Sequence, residues 1–117
     1  MKKVYIAGKL NDDAVGYIKN LHAMIQEAEK VRKAGFSVYI PGLDFLGGLV
    51  FGDWDYHCYF NNSQPWLLAS DAVYVCPNSE RSTGTQKEIK LAKKNGIPVV
   101  DTLGKLCSIL SNGKEEK

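Results

Sequence analysis

The chain has 117 residues, of which 44% are hydrophobic and 24% charged, which is the size and composition of one globular domain. The formal net charge is only +2 and includes a Lys/Glu tail, so no basic surface dominates, which argues against a duplex DNA-binding protein. No apolar stretch approaches the roughly 20 residues that cross a bilayer, so we expect no association with a membrane.

Short segments rich in Val, Ile and Tyr predict buried parallel strands at residues 3–7, 37–40, 72–76 and 98–101. The first of them stops at Gly8 and is too short for the core of a signal peptide. A long helix is predicted between the first two strands, because apolar residues recur three or four apart: Ile18, Leu21, Ile25, Ala28 and Val31.

This helix begins after residues 11–13, which offer capping side chains, and ends at Gly35. A second helix is predicted from Thr83 or Gly84 to residues 95–96. Alternating strands and helices predict an α/β fold with right-handed crossovers. We expect a small doubly wound parallel sheet of Rossmann or flavodoxin type, with four to five strands in the order 2-1-3-4. Residues 1–110 then form one domain, followed by a frayed polar tail, residues 111–117.

The stretch 41–65 interrupts the regular alternation with glycines and aromatic residues: Gly42, Gly47, Gly48, Gly52, Phe45, Phe51, Trp54, Tyr56, Tyr59 and Phe60. A loop this long is typical of a binding element or lid, and its aromatic side chains could stack on a flat ring. An interface patch or a small separate core is the alternative. The part from residue 53 to 68 is predicted to be partly helical.

The cysteines and histidines argue against a disulfide framework and a zinc site. The chain has two histidines and an odd number of cysteines without C-x-x-C spacing: Cys58, Cys76 and Cys107. This pattern is typical of reduced thiols in a cytoplasmic protein. Two acids and one histidine at residues 53–57 are too few for a complete metal site, so we expect neither a metal nor a cofactor.

The polar loop after the third strand is the strongest candidate for a ligand site. Open α/β sheets bind ligands at the carboxyl ends of their strands, and this loop leads into the second helix. Ser82, Gly84 and Thr85 could form an anion site there, with Gly84 letting the backbone approach the ligand. A polar turn that only caps the helix is the alternative.

Glu88 places a carboxylate on the same helix, at the border of its apolar face. It therefore needs hydrogen-bond partners, for which Thr85 and Tyr5 are candidates. A carboxylate aimed at a phosphate or sugar site is typical of glycosidic-bond chemistry. An exposed glutamate that stabilises the helix through its dipole is the alternative.

Gly8, Lys9 and Asn11 follow the first strand. With the strand order 2-1-3-4, the loops after strands 1 and 3 converge and bring Lys9 and Asn11 close to Ser82 and Glu88. Lys9 is then a candidate phosphate ligand, unless it is simply one of many exposed lysines.

These segments together resemble the nucleoside 2-deoxyribosyltransferase-like superfamily over roughly residues 3–101. Residues 4–8, VYIAG, are similar to its opening motif, and residues 38–41, VYIP, to its second strand. Trp66-Leu67 and Asp71-Ala72-Val73 resemble its next helix and strand. Residues 82–98 are similar to its S-x-G-x-x-x-E-x-x-x-A-x-x-x-G-x-P pattern, including the variant found in small uncharacterised phage-type members.

The resemblance implies chemistry at an N-glycosidic bond. Glu88 matches the glutamate that attacks C1′ of a deoxyribosyl group, and the covalent glycosyl-enzyme is resolved by water or another base. Tyr5 matches the tyrosine that holds this glutamate in place. Ser82 matches a residue that is Asp in the nucleoside transferases and Ser in the 5′-monophosphate N-glycosidases, where it contacts the phosphate. It therefore favours a nucleotide as substrate.

Ser63 departs from the pattern, because family enzymes carry at this position an Asp that orients the sugar and handles the proton of the leaving base. A serine cannot act as a general acid near neutral pH. Asp44 or Asp53 could substitute, or Asn62 could hold a sugar hydroxyl. Otherwise the protein binds a nucleotide without cleaving it.

We therefore predict cleavage or transfer at the N-glycosidic bond of a (deoxy)nucleoside 5′-monophosphate through a covalent glycosyl-Glu88 intermediate. Tyr5 is the second catalytic residue, and Trp54 or Phe45 stacks on the base. The predicted substrate-binding residues are Gly8, Lys9, Asn11, Asp44, Trp54, Asn62, Ser63, Ser82, Gly84 and Thr85.

Two alternatives stay open: a non-catalytic nucleotide-binding protein with the same pocket, and an interaction protein whose aromatic stretch contacts a partner. The resemblance also implies a homo-oligomer, a dimer or larger, because family active sites are often completed by a neighbouring subunit.

Overall fold

Parallel strands alternating with helices make up the part of the protein that a computed structural model describes, residues 1–110. The strands are β1 (Lys3–Ala7), β2 (Ser37–Tyr39), β3 (Ala72–Val75) and β4 (Val99–Val100). The helices are α1 (Ala14–Lys33), α2 (Asp44–Phe51), α3 (Tyr56–Leu68), α4 (Thr83–Lys94) and α5 (Leu103–Leu110), with a 3₁₀ turn at Pro41–Leu43. The strand order is β2-β1-β3-β4, which confirms the predicted α/β fold and topology.

Alternate residues of β1 point to opposite faces of the sheet and define two cores. Val4 and Ile6 pack with side chains of α1 and α5, among them Met24 and Leu106. Tyr5 and Ala7 pack on the other face with residues of α3, β3 and α4: Leu67, Val73 and Ala92. Both faces of the sheet are therefore covered by helices, as in a doubly wound fold.

The buried row of helix α1 coincides only partly with the apolar repeat that predicts the helix. Its buried residues are Met24, Ala28 and Val31, whereas Ile18 and Ile25 are 65% and 39% exposed. Met24, Ala28 and Val31 are spaced by four and three residues and form one stripe. Ala28 and Val31 belong to the repeat, while Ile18 and Ile25 lie beside the buried stripe.

The stretch 41–65 is mostly helical and not a long loop. The Asp55 side chain caps α3 by accepting a hydrogen bond from the Cys58 amide at 3.1 Å. Gly52 ends α2 in the left-handed conformation, with φ of 80°. Helix α2 leaves several apolar side chains exposed, including Leu46, Leu49, Val50 and Phe51.

Within residues 1–110, no helix has the length and apolar character needed to cross a membrane. The same residues contain no group of three His, Cys, Asp or Glu side chains that could hold a metal ion. Cys58, Cys76 and Cys107 are free thiols, and Cys76 is buried in the core beside β1. The predicted frayed tail, residues 111–117, lies outside the described residues.

Two adjacent glycines of α2 should respond differently to alanine. A Cβ at Gly47 would meet no atom within 4 Å, whereas a Cβ at Gly48 would lie 2.6 Å from Cζ of Tyr59. Gly47→Ala should stabilise the protein by about 0.5–1 kcal/mol through helix propensity. Gly48→Ala should destabilise it by about 1–3 kcal/mol, because the Tyr59 ring must move. Urea unfolding of both variants tests this, and equal stabilisation by both would contradict the packing described.

Candidate active site

A hydrogen bond between β1 and α4 holds a carboxylate at the carboxyl edge of the sheet. Tyr5 is completely buried in β1, and its hydroxyl donates to Oε2 of Glu88 in the second turn of α4. The Glu88 residue is only partly buried because it lines a cavity, but its carboxyl group is closely surrounded by protein atoms. The site therefore contains a poorly hydrated acid with one fixed donor.

Burial raises the pKa of Glu88 to about 7, although the hydrogen bond from Tyr5 opposes part of the rise. Burial, and then the charge of Glu88, also raise the pKa of Tyr5 above its ordinary value. The Tyr5 hydroxyl therefore keeps its proton near neutral pH and remains a donor to Glu88. Of the two predicted partners of Glu88, Tyr5 is the one that donates to it.

A second tyrosine and a second carboxylate lie beside this pair. Tyr39 is the register partner of Tyr5 in the β1–β2 pair, and the two rings stack with centroids 5.5 Å apart. The Tyr39 hydroxyl donates to Oδ2 of Asp44 at 3.0 Å, and Asn62 Nδ2 donates to the same oxygen at 3.3 Å. The outer face of Tyr39 stacks on Trp66, with centroids 5.8 Å apart. The tyrosine pair therefore places two carboxylates side by side on one face of the sheet.

Ser63 is buried next to this pair. Its hydroxyl donates to the Phe60 carbonyl at 3.4 Å within α3, and it also lies within hydrogen-bonding reach of Tyr5. The position at which the resemblance implies an Asp therefore holds a buried, uncharged hydroxyl beside Tyr5.

The loops after β1 and β3 are tied together beneath the start of α4. The Lys9 amide donates to Oγ of the buried Ser79 at 3.0 Å. Ser82 caps α4, and its Oγ accepts from the amide and the hydroxyl of Thr85, at 3.2 and 2.9 Å. A Cβ at Gly84 would meet nothing within 4 Å, so this turn is open toward a ligand. The predicted convergence of these two loops is therefore present.

A cavity of about 1100 Å³ collects most of the predicted residues. Ten of them line it: Gly8, Lys9, Asn11, Asp44, Trp54, Ser63, Ser82, Gly84, Thr85 and Glu88. Tyr5 and Asn62 do not line it and instead donate to the lining residues Glu88 and Asp44. Thr85 is buried, and its hydroxyl donates a hydrogen bond to Ser82 and not to Glu88.

Six further residues of the cavity wall were not among the predicted substrate-binding residues: Tyr17, Tyr56, Tyr59, Asp55, Arg81 and Lys87. Tyr56 and Tyr59 do belong to the aromatic stretch 41–65, which was predicted as a candidate binding element. The rings of Tyr17 and Phe45 are tilted against each other with centroids 4.4 Å apart, and Trp54 contacts Tyr59 edge-on at 5.1 Å. Burial raises the pKa of Tyr17 to about 12. Tyr17 could have been identified as a site residue from the sequence, because it lies in the first turn of the helix that follows the β1 loop.

Lys87 also lies at the cavity, with Nζ 5.0 Å from the centroid of the Tyr56 ring. Lys87 is exposed on α4, and α3 approaches α4 closely enough to bring the Tyr56 ring beneath it. The rim of the cavity therefore already contains one cation over an aromatic ring.

Because of its raised pKa, Glu88 should make the protein less stable as the pH rises. Glu88 has an ordinary pKa of 4.5 in the unfolded chain and about 7 in the folded protein. The folded state therefore binds the proton more tightly, and it loses this advantage between pH 4.5 and pH 7. Relative to wild type, Glu88→Gln should gain roughly 2–3 kcal/mol of unfolding free energy between pH 4.5 and pH 8.

Urea unfolding at the two pH values measures this gain. Glu29→Gln is the matched control, because Glu29 is exposed on α1, where its ion pair with Arg32 lowers its pKa. That control should show no gain over the same pH range. A difference between wild type and Glu88→Gln that does not change with pH would contradict the buried state of Glu88.

Comparison with known proteins gives a family and a fold. The model of the family described as a domain of unknown function, DUF4406, matches residues 2–101. A 2-deoxyribosyltransferase from the psychrotolerant bacterium Bacillus psychrosaccharolyticus is 24% identical with a TM-score of 0.62, and the match covers 84% of this chain and 70% of that enzyme. A conserved protein from Enterococcus faecalis V583 is 23% identical with a TM-score of 0.63, covering 86% of this chain and 62% of that protein.

No curated protein sequence matches the chain. The structural matches nevertheless confirm the resemblance at the level of the fold. The chain therefore belongs to the DUF4406 family and shares the fold of these two structures, one of which is a 2-deoxyribosyltransferase.

Proposed function

We propose that the protein cleaves or transfers at the N-glycosidic bond of a nucleoside 5′-monophosphate, with Glu88 as the nucleophile. The observation that carries this proposal is the Tyr5–Glu88 hydrogen bond at the floor of the cavity. A poorly hydrated carboxylate with a fixed orientation is a good nucleophile toward a sugar carbon. The fold shared with a 2-deoxyribosyltransferase adds support for nucleosides or nucleotides as the substrate class.

In the proposed reaction, the ionised Glu88 attacks C1′ of the sugar. A bond forms between Oε of Glu88 and C1′, and the bond from C1′ to the base nitrogen breaks, with its electron pair leaving on the base. Water or a second base then attacks C1′ and releases Glu88. Tyr5 positions the carboxylate throughout and does not contact the sugar itself.

The start of α4 suits the 5′-phosphate. The Ser82 hydroxyl accepts from Thr85, so its own proton is free to point outward, and Gly84 leaves the backbone open. Lys9 and Arg81 line the same part of the cavity and provide positive charge. A helix N-terminus with hydroxyl, amide and cationic donors is a typical phosphate site.

The aromatic wall of the cavity suits the base and the sugar. Trp54 and Phe45 present aromatic surface, and Asp44 presents a carboxylate held by Tyr39 and Asn62. Gly8 also lines the cavity, and its lack of a side chain is required by the core behind it, since a Cβ there would lie 3.0 Å from Cβ of Cys76. In this arrangement the base contacts the aromatic wall, and the sugar lies next to Glu88.

Ser63 favours a second candidate function, a protein that binds the nucleotide without cleaving it. The residue that handles the proton of the leaving base in the resembling enzymes is here a buried hydroxyl. Tight binding of a nucleotide without product after long incubation would establish this function.

We also propose that the working form is a homo-oligomer. The exposed apolar side chains of α2 support this, since Val50 is 80% and Phe51 75% exposed on a helix that borders the cavity. Sedimentation of wild type and Val50→Glu tests it: a monomeric wild type would contradict the proposal.

Base release should depend on Glu88. Ribo- and deoxyribonucleoside 5′-monophosphates are incubated with the protein, and the free base is measured by chromatography. Glu88→Gln should lower the rate by about 1,000-fold or more while leaving binding within a few-fold. Full activity in Glu88→Gln would rule out the proposed mechanism. Absence of base release from every nucleotide tested would remove the proposed function.

The activity should also rise with pH, because only the ionised Glu88 attacks C1′. With a pKa of about 7, kcat/KM should increase tenfold per pH unit below neutrality and level off above it. Tyr5→Phe removes the donor that lowers the pKa of Glu88, so its profile should shift to higher pH, with a loss of about 10- to 100-fold at pH 7. An unshifted profile would mean that Tyr5 has only a structural role.

A further inference from the structure

We propose that the preferred substrate carries a positively charged base, joined to the sugar through a quaternary ring nitrogen, as in an N7-alkylated purine or a pyridinium nucleotide. This inference rests on the proposed function and specifies its substrate class. A neutral purine or pyrimidine must take up a proton as it leaves, whereas a cationic base leaves as a neutral molecule.

The carboxyl groups of the cavity offer no acid for a neutral base. Asp44 accepts two hydrogen bonds on one oxygen, from Tyr39 and Asn62, and so acts as an acceptor in this arrangement. Asp55 accepts from the Cys58 amide, which lowers its pKa. Glu80 is exposed to solvent, and Glu88 is needed in its ionised form as the nucleophile.

The remaining polar groups of the cavity do not supply a general acid either. Ser63 is a hydroxyl, and none of the described cavity-lining residues is a histidine. Burial raises the pKa of Tyr17 to about 12. Amines and phenols ordinarily hold their protons too tightly at neutral pH to be efficient acids. A substrate that needs no proton for its leaving group fits this set of residues.

The charges of the cavity also suit a cationic base. Four acidic side chains line it against three basic ones, Lys9, Arg81 and Lys87. Two of the basic residues, Lys9 and Arg81, lie in the loops that meet at the start of α4, where the phosphate is proposed to bind. Asp44 lies at the aromatic wall, close enough to Tyr17 for its charge to raise the pKa of that tyrosine.

The aromatic residues of that wall add a second attraction for positive charge. Tyr17 contacts Phe45, which follows Asp44 in the chain, with the two rings tilted, and Trp54 packs edge-on against Tyr59. Aromatic faces attract cations, and a neighbouring carboxylate strengthens this. The ligand that matches both ends has a phosphate at α4 and a positively charged ring at the aromatic wall.

The reaction balances without an acid. Glu88 Oε forms a bond to C1′, the bond from C1′ to the cationic nitrogen breaks, and its electron pair neutralises the ring. Water then attacks C1′, Glu88 leaves as the carboxylate, and the proton that water loses passes to solvent. No oxidant, reductant or co-reactant other than water takes part.

The first test compares 7-methylguanosine 5′-monophosphate with guanosine 5′-monophosphate, which share sugar and phosphate and differ in the charge of the base. Wild type should show kcat/KM at least about 100-fold higher for the methylated nucleotide, because a general acid that would equalise the two is missing. Equal values would overturn the inference, since they would show that the site protonates a neutral base.

The second test measures binding, so that the intrinsic lability of the methylated base does not enter. Nicotinamide mononucleotide and its reduced, uncharged form are titrated into Glu88→Gln by calorimetry. Adding Asp44→Asn should weaken binding of the charged form about tenfold and of the reduced form less than about twofold. Adding Glu29→Gln, which removes a remote surface charge, should change neither.

Equal losses for the two forms on Asp44→Asn would overturn the role of Asp44 in recognising a positive base. Release of base from neutral nucleotides alone would overturn the inference and leave the proposed function standing. Failure to release base from any nucleotide, charged or neutral, would instead remove the proposed function.

Discussion

The hydrogen bond from Tyr5 to Glu88 is the interaction on which the site depends. It joins the central strand β1 to α4 and places a carboxylate where its hydration is largely lost. Burying an acid in this way costs free energy, and one donated hydrogen bond offsets only part of that cost. The remaining cost appears as the raised pKa of Glu88, and it is this perturbed carboxylate that makes the site a candidate for chemistry.

The sheet register determines what lies beside Glu88. Tyr5 and Tyr39 are partners in parallel strands, so they point to the same face and their rings must stack at about the strand spacing. Each hydroxyl then meets a carboxylate supplied by a different helix, Glu88 from α4 and Asp44 from α2. The two carboxylates are not equivalent, because Asp44 accepts two side-chain hydrogen bonds whereas Glu88 accepts one.

Part of this could be predicted from the sequence. Alternating strands and helices predict parallel strands, and with the order 2-1-3-4 the loops after strands 1 and 3 meet, which brings Lys9 to the start of α4. Glu88 and Ser82 were identified from the polar loop after the third strand and from the resemblance. The buried row of α1 could not be predicted from its apolar repeat, since Ile18 belongs to the repeat and is exposed, whereas Met24 lies outside it and is buried. Nor could α2, which lies in a glycine-rich stretch and ends at the left-handed Gly52, whereas α3 lies within residues 53–68, which were predicted to be partly helical.

The raised pKa of Glu88 and the lack of a general acid among the described residues of the cavity bear on the proposed reaction in the same direction. A neutral ligand that displaces water from the cavity removes further hydration from Glu88 and so favours its protonated form. A ligand with a positive charge near C1′ has the opposite effect, because an opposite charge close to an acid favours ionisation. In the proposed reaction, a cationic base therefore favours the ionised form of Glu88, which burial opposes. The same base also leaves without taking up a proton, so the step needs no general acid.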